Sequence, residues 1–490
     1  MASKKDFIKD SLVYGLGNGI KKFIGFFLLP IYTRALTPED YGLLGTLGTF
    51  TMLLSAFLNF GLDSASGYYY FLTKDSKEKG EILFTHFILR ILGIIPPIIL
   101  SFFSSQLSLL FFKSIEYSWL VFISIIVVPV NLLMSEQSHI YRYFRKPWSY
   151  NVITIVKAVT NIVFGIGLVL IIKMGVLGAQ IASILSSLIV VAGSFLFFTR
   201  RVYTWSFNLF WAKKMMRFGF PLIWAGLSVW VFNSIDRFFI LYYKDLKEIG
   251  YYSIGTTFSQ PILLINMAVQ MSFGVLFFKT FNDEIDPEKP KARKMATDSF
   301  NIYLIVSVYI ALFLSIFSLE LFKFVATAAY APGAISIPFI TFSYIASQAY
   351  QNMGPGITIA EKNYHYLWIT IFTAILNIGL NFLFIPTMGF VGAALATLIS
   401  FVAYWLIKYF IAQRYFPIDY NLVKILLYFF VGLIIALFIP VGFFYFKLQF
   451  NVFMKIGLFM IGLTLPFVFQ LADFSDIRSI LSSVRNRIIK

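Results

Sequence analysis

Ten residues carry most of the chemistry this sequence offers. They are the cations Lys21, Lys22, Arg34, Arg90, Lys157 and Arg237, the carboxylates Asp63 and Asp236, and the amides Gln260 and Asn266. Arg34 stands at the end of an apolar run, and the others interrupt such runs. A charge at bilayer depth costs about 3 kcal/mol on insertion scales, so each is a functional candidate by default. Cations dominate the set, and Lys and Arg are the natural partners of phosphate and pyrophosphate. Successive helix residues point about 100° apart, so Lys21 and Lys22 can both border one wide cavity. Lys22 shares a face with Gly15 and Gly19, and Lys21 with Tyr14 and Gly25. Arg90 and Lys157 lie within about two turns of a run's end, close enough to snorkel instead. Asp63 can neutralise a lumen cation, and Asp236 with Arg237 reads either as a lumen group or as a local charge pair. Gln260, Pro261 and Asn266 interrupt the eighth run, where a proline frees backbone carbonyls. Glu136 closes the fourth run and reads as interfacial. His86, His139 and His365 lie far apart and there is no cysteine, so no metal site or disulfide framework is expected.

The elements that must position these groups are membrane helices. The chain is 59% hydrophobic and 13% charged over 490 residues, with 58 Phe and 28 Tyr. A soluble chain of that length needs far more polar surface. Fourteen apolar stretches are long enough to span a bilayer, at 11–36, 42–72, 82–104, 117–136, 150–172, 176–199, 215–243, 249–278, 299–325, 333–356, 364–385, 389–413, 421–445 and 451–472. With the N-terminus inside, 27 of the 40 basic residues fall on inner segments and 8 on outer ones, as positive-inside topology requires. The remaining 5, Lys21, Lys22, Arg90, Lys157 and Arg237, lie within runs. The net charge of +17 therefore reflects topology, and nucleic-acid binding is not expected.

The chain also repeats itself. Gly175 to Ser183 aligns with Gly389 to Thr397 at an offset of 214. Lys146, Tyr150, Thr154 and Asn161 match Lys362, Tyr366, Thr370 and Asn377 at 216, and Gly42 to Phe50 matches Gly250 to Phe258 at 208. Six helices separate the copies, an even number, so the copies are parallel repeats. The fold expected is an all-α integral membrane protein of two six-helix lobes plus two C-terminal helices. The N-lobe covers 1–205, the C-lobe 206–414 and the added helices 415–472; a basic amphipathic tail at 473–490 lies on the inner surface. Two lobes around a central cleft are the architecture of alternating access.

Several ordered motifs resemble the Wzx-type polysaccharide flippases. They are Tyr14 to Gly19, Phe27 to Gly42, Asn59 to Ala65, Phe218 to Pro221, Asn233 to Ile240, Gly250 to Ser253 and Gly389 to Thr397. The resemblance runs over nearly the whole chain. It implies the superfamily of multidrug/toxin extruders, lipid II flippases and polysaccharide exporters, and so a MATE-like fold. It implies a transporter, not an enzyme, that moves undecaprenyl-pyrophosphate-linked oligosaccharide from inner to outer leaflet for O-antigen, exopolysaccharide or a similar surface polymer. It also implies coupling to an ion gradient, H+ or Na+, with no other cofactor. Arg34, Asp236 and Arg237 are the site residues carried over by motif position; the rest come from depth. The expected partners are membrane lipids, the lipid-linked oligosaccharide, a polysaccharide polymerase and glycosyltransferases. The expected location is the bacterial cytoplasmic membrane, with both termini cytoplasmic. A multidrug extruder of the same fold is the alternative, although organic cations would favour a lumen rich in carboxylates. A membrane polymerase or glycosyltransferase would need positioned carboxylates on outer loops. Glu39 and Asp40, the only adjacent acidic pair there, read as part of a helix N-cap after Thr37 and Pro38.

Overall fold

A computed structural model describes Gly19 and residues 28–472, which are helical with no strand among them. Nine helices there are long and apolar enough to cross a membrane, ten if the pair bent by 52° within Leu209–Tyr243 counts as one span. Every expected run from the second onward overlies a helix or a broken helix pair. Of the first run, 28–35 is helical; Lys21 and Lys22 lie outside the described residues, as do Tyr14 to Asn18 and the expected tail helix.

The chain divides into two compact units, one running to Ser253 and adding Ile378–Phe390, the other holding Ile254–Asn377 and Val391 onward. The first unit contains α1 (28–35), α2 (Pro38–Asn59), α3 (Leu62–Leu72), α4 (Ser76–Leu92), α5 (Ile95–Ser101), α6 (Ser104–Phe112), α7 (Ser118–Tyr143), α8 (Pro147–Gly165), α9 (Gly175–Phe197), α10 (Leu209–Tyr243) and the start of α11 (Leu246–Ser259). The second contains α12 (Pro261–Asp283), α13 (Pro290–Ile316), α14 (Ser318–Val325), α15 (Ser336–Met353), α16 (Pro355–Ile359), most of α17 (Tyr364–Tyr415), α18 (Leu422–Phe446) and α19 (Val452–Val468). Several expected runs are broken. Run 42–72 divides at Phe60 and Gly61, both left-handed, and run 249–278 divides at Gln260 ahead of Pro261. A continuous helix the length of α17 would measure about 78 Å, more than twice the hydrocarbon core. It instead divides at Gly389, where φ is 58° and ψ −136°. Glu248 caps the part that follows, its Oε2 accepting from Phe390 N at 2.9 Å.

The internal repeat is written in the backbone. Gly175 and Gly389, paired by the sequence offset, take φ of +57° and +58° and open equivalent helices. Residues with a Cβ rarely adopt that conformation, which is why glycine recurs there. Arg145 and Glu361, 216 apart, are both left-handed, and the next residues make matching bonds, Lys146 N to Tyr141 O and Lys362 N to Ile357 O. Thr37 caps α2 by accepting from Asp40 N, and Asp245, 208 further on, caps α11 by accepting from Glu248 N.

Helix association in lipid relies on close packing and on internally satisfied polar groups, because apolar burial between helices gains little there. Buried Thr46, Thr154, Thr373 and Ser400 accordingly donate to the carbonyl four residues back. The tightest approach in the first unit joins α2 to α11 reciprocally. A Cβ on Gly42 would stand 1.8 Å from Leu246 O, and one on Gly250 would stand 2.0 Å from Pro38 O. The partners are again 208 apart, so the contact is reciprocal between repeat-related positions. Gly250→Ala must therefore push two backbones apart. The expected cost is about 1–3 kcal/mol, read as a lowered thermal midpoint in detergent. Gly48→Ala, with open space at its Cβ, is the control expected to leave that midpoint in place. The second unit is packed with aromatic groups: Phe300, Tyr303, Trp405 and Phe429 are fully buried, and Tyr303 Oη donates to Ile345 O at 2.9 Å.

Candidate functional site

The break after α2 creates the first feature of the site. A helix ending at Asn59 leaves its last carbonyls without intrahelical donors. Arg90, buried near the end of α4, supplies them. Its Nη1 donates to Leu58 O at 3.4 Å and Asn59 O at 3.2 Å, while Nη2 donates to the Asn59 side chain and to Asp63 Oδ1 at 2.8 Å. Asp63 lies in the first turn of α3, where the helix dipole favours a carboxylate. His86 of α4 and His139 of α7 each bring Nε2 to 3.7 Å from it, and Ser135 Oγ donates to it at 3.4 Å. Two of the chain's three histidines thus converge on one carboxylate, which their spacing in sequence gave no sign of. Among the described residues no group of three side chains suits a metal ion.

Glu136, next to Ser135, is not interfacial but fully buried. Tyr203, in the α9–α10 connection, donates to its Oε1 at 3.1 Å. Burial pushes the Tyr203 hydroxyl well above its ordinary pKa, with the Glu136 charge adding to the shift, so it stays a donor. The α7–α8 hairpin thereby gains a buried anchor to a connection that is distant in sequence.

The second feature is a cavity of about 460 Å³ between α7, α8 and α9. Asn131, Ser135, Ser138 and Arg142 follow one another at steps of four, three and four along α7; Tyr150, Thr154, Lys157 and Asn161 repeat those steps on α8. On a helix of 3.6 residues per turn each set is one stripe, and the two stripes face each other across the cavity. Lys157 Nζ donates to Asn131 Oδ1 at 3.3 Å, an oxygen that also accepts from Ser187 of α9 at 2.9 Å. The Arg142 guanidinium lies over the Tyr150 ring, 5.6 Å from its centroid, and Nη2 approaches a His139 ring nitrogen at 2.9 Å. Among the described residues the lining therefore holds two cations, hydroxyls and amides, and no carboxylate. Its size falls within the range of about 300–1,000 Å³ usual for ligand pockets. Ser135 lines it and touches Asp63, so the cavity and the buried charge cluster share a wall.

The other expected residues are dispersed. Arg34 is exposed near the end of α1. Arg90 belongs to the Asp63 cluster and does not line the cavity. Asp236 is buried in α10, accepting from Tyr252 Oη at 2.7 Å and Asn381 Nδ2 at 2.8 Å. The half-buried Arg237 lies over the ring of the same Tyr252 and donates from Nε to Ser253 Oγ at 3.5 Å, so the two neighbours meet at Tyr252. Gln260 sits at the start of α12, and buried Asn266 donates to Gln348 Oε1 at 2.7 Å in the second unit. Arg142 and His139 are the residues that sequence reasoning missed. Arg142 carries a signal, the i, i+4, i+7, i+11 polar stripe of α7, and His139 stands outside that stripe.

A sequence-family model described as polysaccharide biosynthesis protein matches residues 7–277, more than half of the chain. The chain belongs to that family. This is the grouping that the flippase-like motifs pointed to. Two Haemophilus influenzae proteins are similar: Lsg locus putative protein 1, 27% identical over 54% of this chain and 63% of its own length, and an uncharacterized membrane protein, 28% identical over 54% and 64%. The chain thus spans under two thirds of the length of these curated relatives. Among solved structures, the lipid II flippase MurJ in an inward closed conformation superposes with a TM-score of 0.72 at 16% identity, over 95% of this chain and 99% of that one. An inward-facing multidrug resistance MATE family transporter of the MOP superfamily gives 0.62 at 16% identity, over 82% and 97%. These likenesses show the fold. This member of the polysaccharide biosynthesis family is a multi-pass membrane protein with the MOP-type, MATE-like fold.

Proposed function

We propose that the chain flips undecaprenyl-pyrophosphate-linked oligosaccharide from the inner to the outer leaflet of the bacterial cytoplasmic membrane. It would do so by alternating access of two six-helix lobes, with fourteen crossings and both termini inside. The observation that carries this reading is the cavity lined, among the described residues, by Arg142 and Lys157 with hydroxyls and amides and without a carboxylate. Arg142 offers a planar fork to one phosphate, and Lys157 a point charge to the other. The polar stripes of α7 and α8 present groups of the kind that bind sugar hydroxyls, and the polyprenyl tail stays in lipid. Glycosyltransferases would make the substrate and a polymerase would consume it. Deleting the gene tests the reading: lipid-linked oligosaccharide should accumulate on the inner leaflet while surface polymer is lost. Unchanged polymer with no accumulation contradicts it.

Ion coupling falls to the Asp63 cluster in this account, with Asp236 as the second candidate. His139 brings Nε2 to 3.7 Å from Asp63, and Arg142 Nη2 lies 2.9 and 3.0 Å from its two ring nitrogens. A proton on His139 removes the ring acceptor that Arg142 approaches and favours Asp63, which frees the guanidinium for an anion. His86, Arg90 and Glu136 set the remaining field. His139→Gln should flatten the dependence of transport on pH. A variant that keeps the wild-type profile assigns coupling elsewhere, Na+ included.

A further inference from the structure

The second unit holds a cavity of about 480 Å³ bounded by α14, the short turn Ala328–Ile335, the end of α18 and the start of α19. Its wall is largely apolar, with Phe322, Phe443 and Phe450 among the lining residues. Its polar groups are an ion pair, one further cation, and the side chains of Thr327 and Gln449. Lys455 of α19 is buried, with 2% of its surface exposed, and donates from Nζ to Glu320 Oε1 at 2.6 Å. An ammonium has three donors, so the pair uses only one of them. The other oxygen, Glu320 Oε2, is buried and has no partner among the described residues. Lys323 lies one turn further along α14 and is exposed. Large apolar side chains stand exposed on the same elements, Phe324 at 81%, Phe446 at 69% and Phe453 at 84%, as on a surface that meets lipid.

An unmatched buried carboxylate oxygen costs more than one that accepts a hydrogen bond. Here a cationic donor can satisfy it while a neighbouring anion takes the spare donors of Lys455 and the charge of Lys323. We propose that this cavity is a binding site for a zwitterionic ethanolamine phospholipid. The primary ammonium donates to Glu320 Oε2, the phosphate lies between Lys455 and Lys323, and an acyl chain covers Phe322, Phe443 and Phe450. A choline head group has no N–H to donate, and a glycerol head group has no cation for Glu320. The site belongs to α14, α18 and α19 and is independent of the transported substrate.

Native mass spectrometry of the full chain, released from bicelles of ethanolamine, choline and glycerol phospholipids with identical acyl chains, tests the assignment. The ethanolamine adduct should exceed the choline adduct about tenfold, the worth of one charge-assisted hydrogen bond. Glu320→Gln should bring that ratio to about one. Lys323→Ala, an exposed change, should lower ethanolamine and choline adducts alike, because both lipids carry the phosphate. Equal ethanolamine and choline binding in the wild type overturns the proposal, and so does a preference that survives Glu320→Gln. Stronger retention of the anionic glycerol lipid than of the ethanolamine lipid overturns it as well, because the cations would then be acting without Glu320.

Discussion

Arg90→Met is expected to destabilise the protein by about 3–5 kcal/mol, the cost of stranding one partner of a buried ion pair. Three losses act together at this position. Asp63 loses its 2.8 Å guanidinium contact, the carbonyls of Leu58 and Asn59 lose their donor, and the Asn59 side chain loses another. Arg90→Lys keeps a charge but cannot reach all four acceptors at once, so it should fall between wild type and Met. Asp63→Asn combined with Arg90→Met should be less damaging than the sum of the single changes, with a coupling of about 1–3 kcal/mol. Equilibrium unfolding in mixed micelles measures all four. A loss below about 1 kcal/mol for Arg90→Met would mean that Arg90 is held at bilayer depth for something other than the broken helix.

Arg142→Met together with Lys157→Met is expected to slow transport at low substrate by about a hundredfold or more, because each removes a charge-assisted contact of about 1.5–3 kcal/mol. Each single change should cost about tenfold. The fold should survive, since both side chains line an open cavity. Protein level in the membrane and the thermal midpoint separate lost transport from lost protein. A double variant that keeps more than half of the wild-type rate would remove the cavity from the account.

The apolar runs were legible because a helix that crosses a bilayer needs a long apolar stretch, a property of neighbouring residues alone. The repeat was legible for a related reason. Positions such as Gly175 and Gly389 must adopt a conformation that few residues tolerate, so their identity survives divergence. The breaks were harder to see. Run 42–72 stays apolar across Phe60 and Gly61, and hydropathy does not register a left-handed pair. The eighth run announced its own break through Pro261.

The site was legible only in part. Lys157 stood out because its depth makes it costly, and it does line the cavity. Arg142 did not stand out, because it lies in the last turn of α7, where a cation reads as an ordinary member of the basic inner loops. Its side chain turns back along the helix toward Tyr150 and His139. Arg90 was equally visible by depth, yet depth alone does not distinguish a lumen cation from one that satisfies a broken helix. The meeting of His86 and His139 on Asp63 is a tertiary fact that joins three helices. Lys21 and Lys22, equally visible by depth, lie outside the described residues.

The central claim is that the chain moves a polyprenyl-pyrophosphate-linked sugar between leaflets. Proteoliposomes containing the purified full chain and a fluorescent polyprenyl-pyrophosphate oligosaccharide test it most directly, with a membrane-impermeant quencher reading which leaflet holds the sugar. The account predicts protein-dependent movement that is lost in the Arg142→Met, Lys157→Met double variant and retained in Gly48→Ala. Movement of small organic cations by the same vesicles, with the lipid-linked sugar left in its original leaflet, would contradict it.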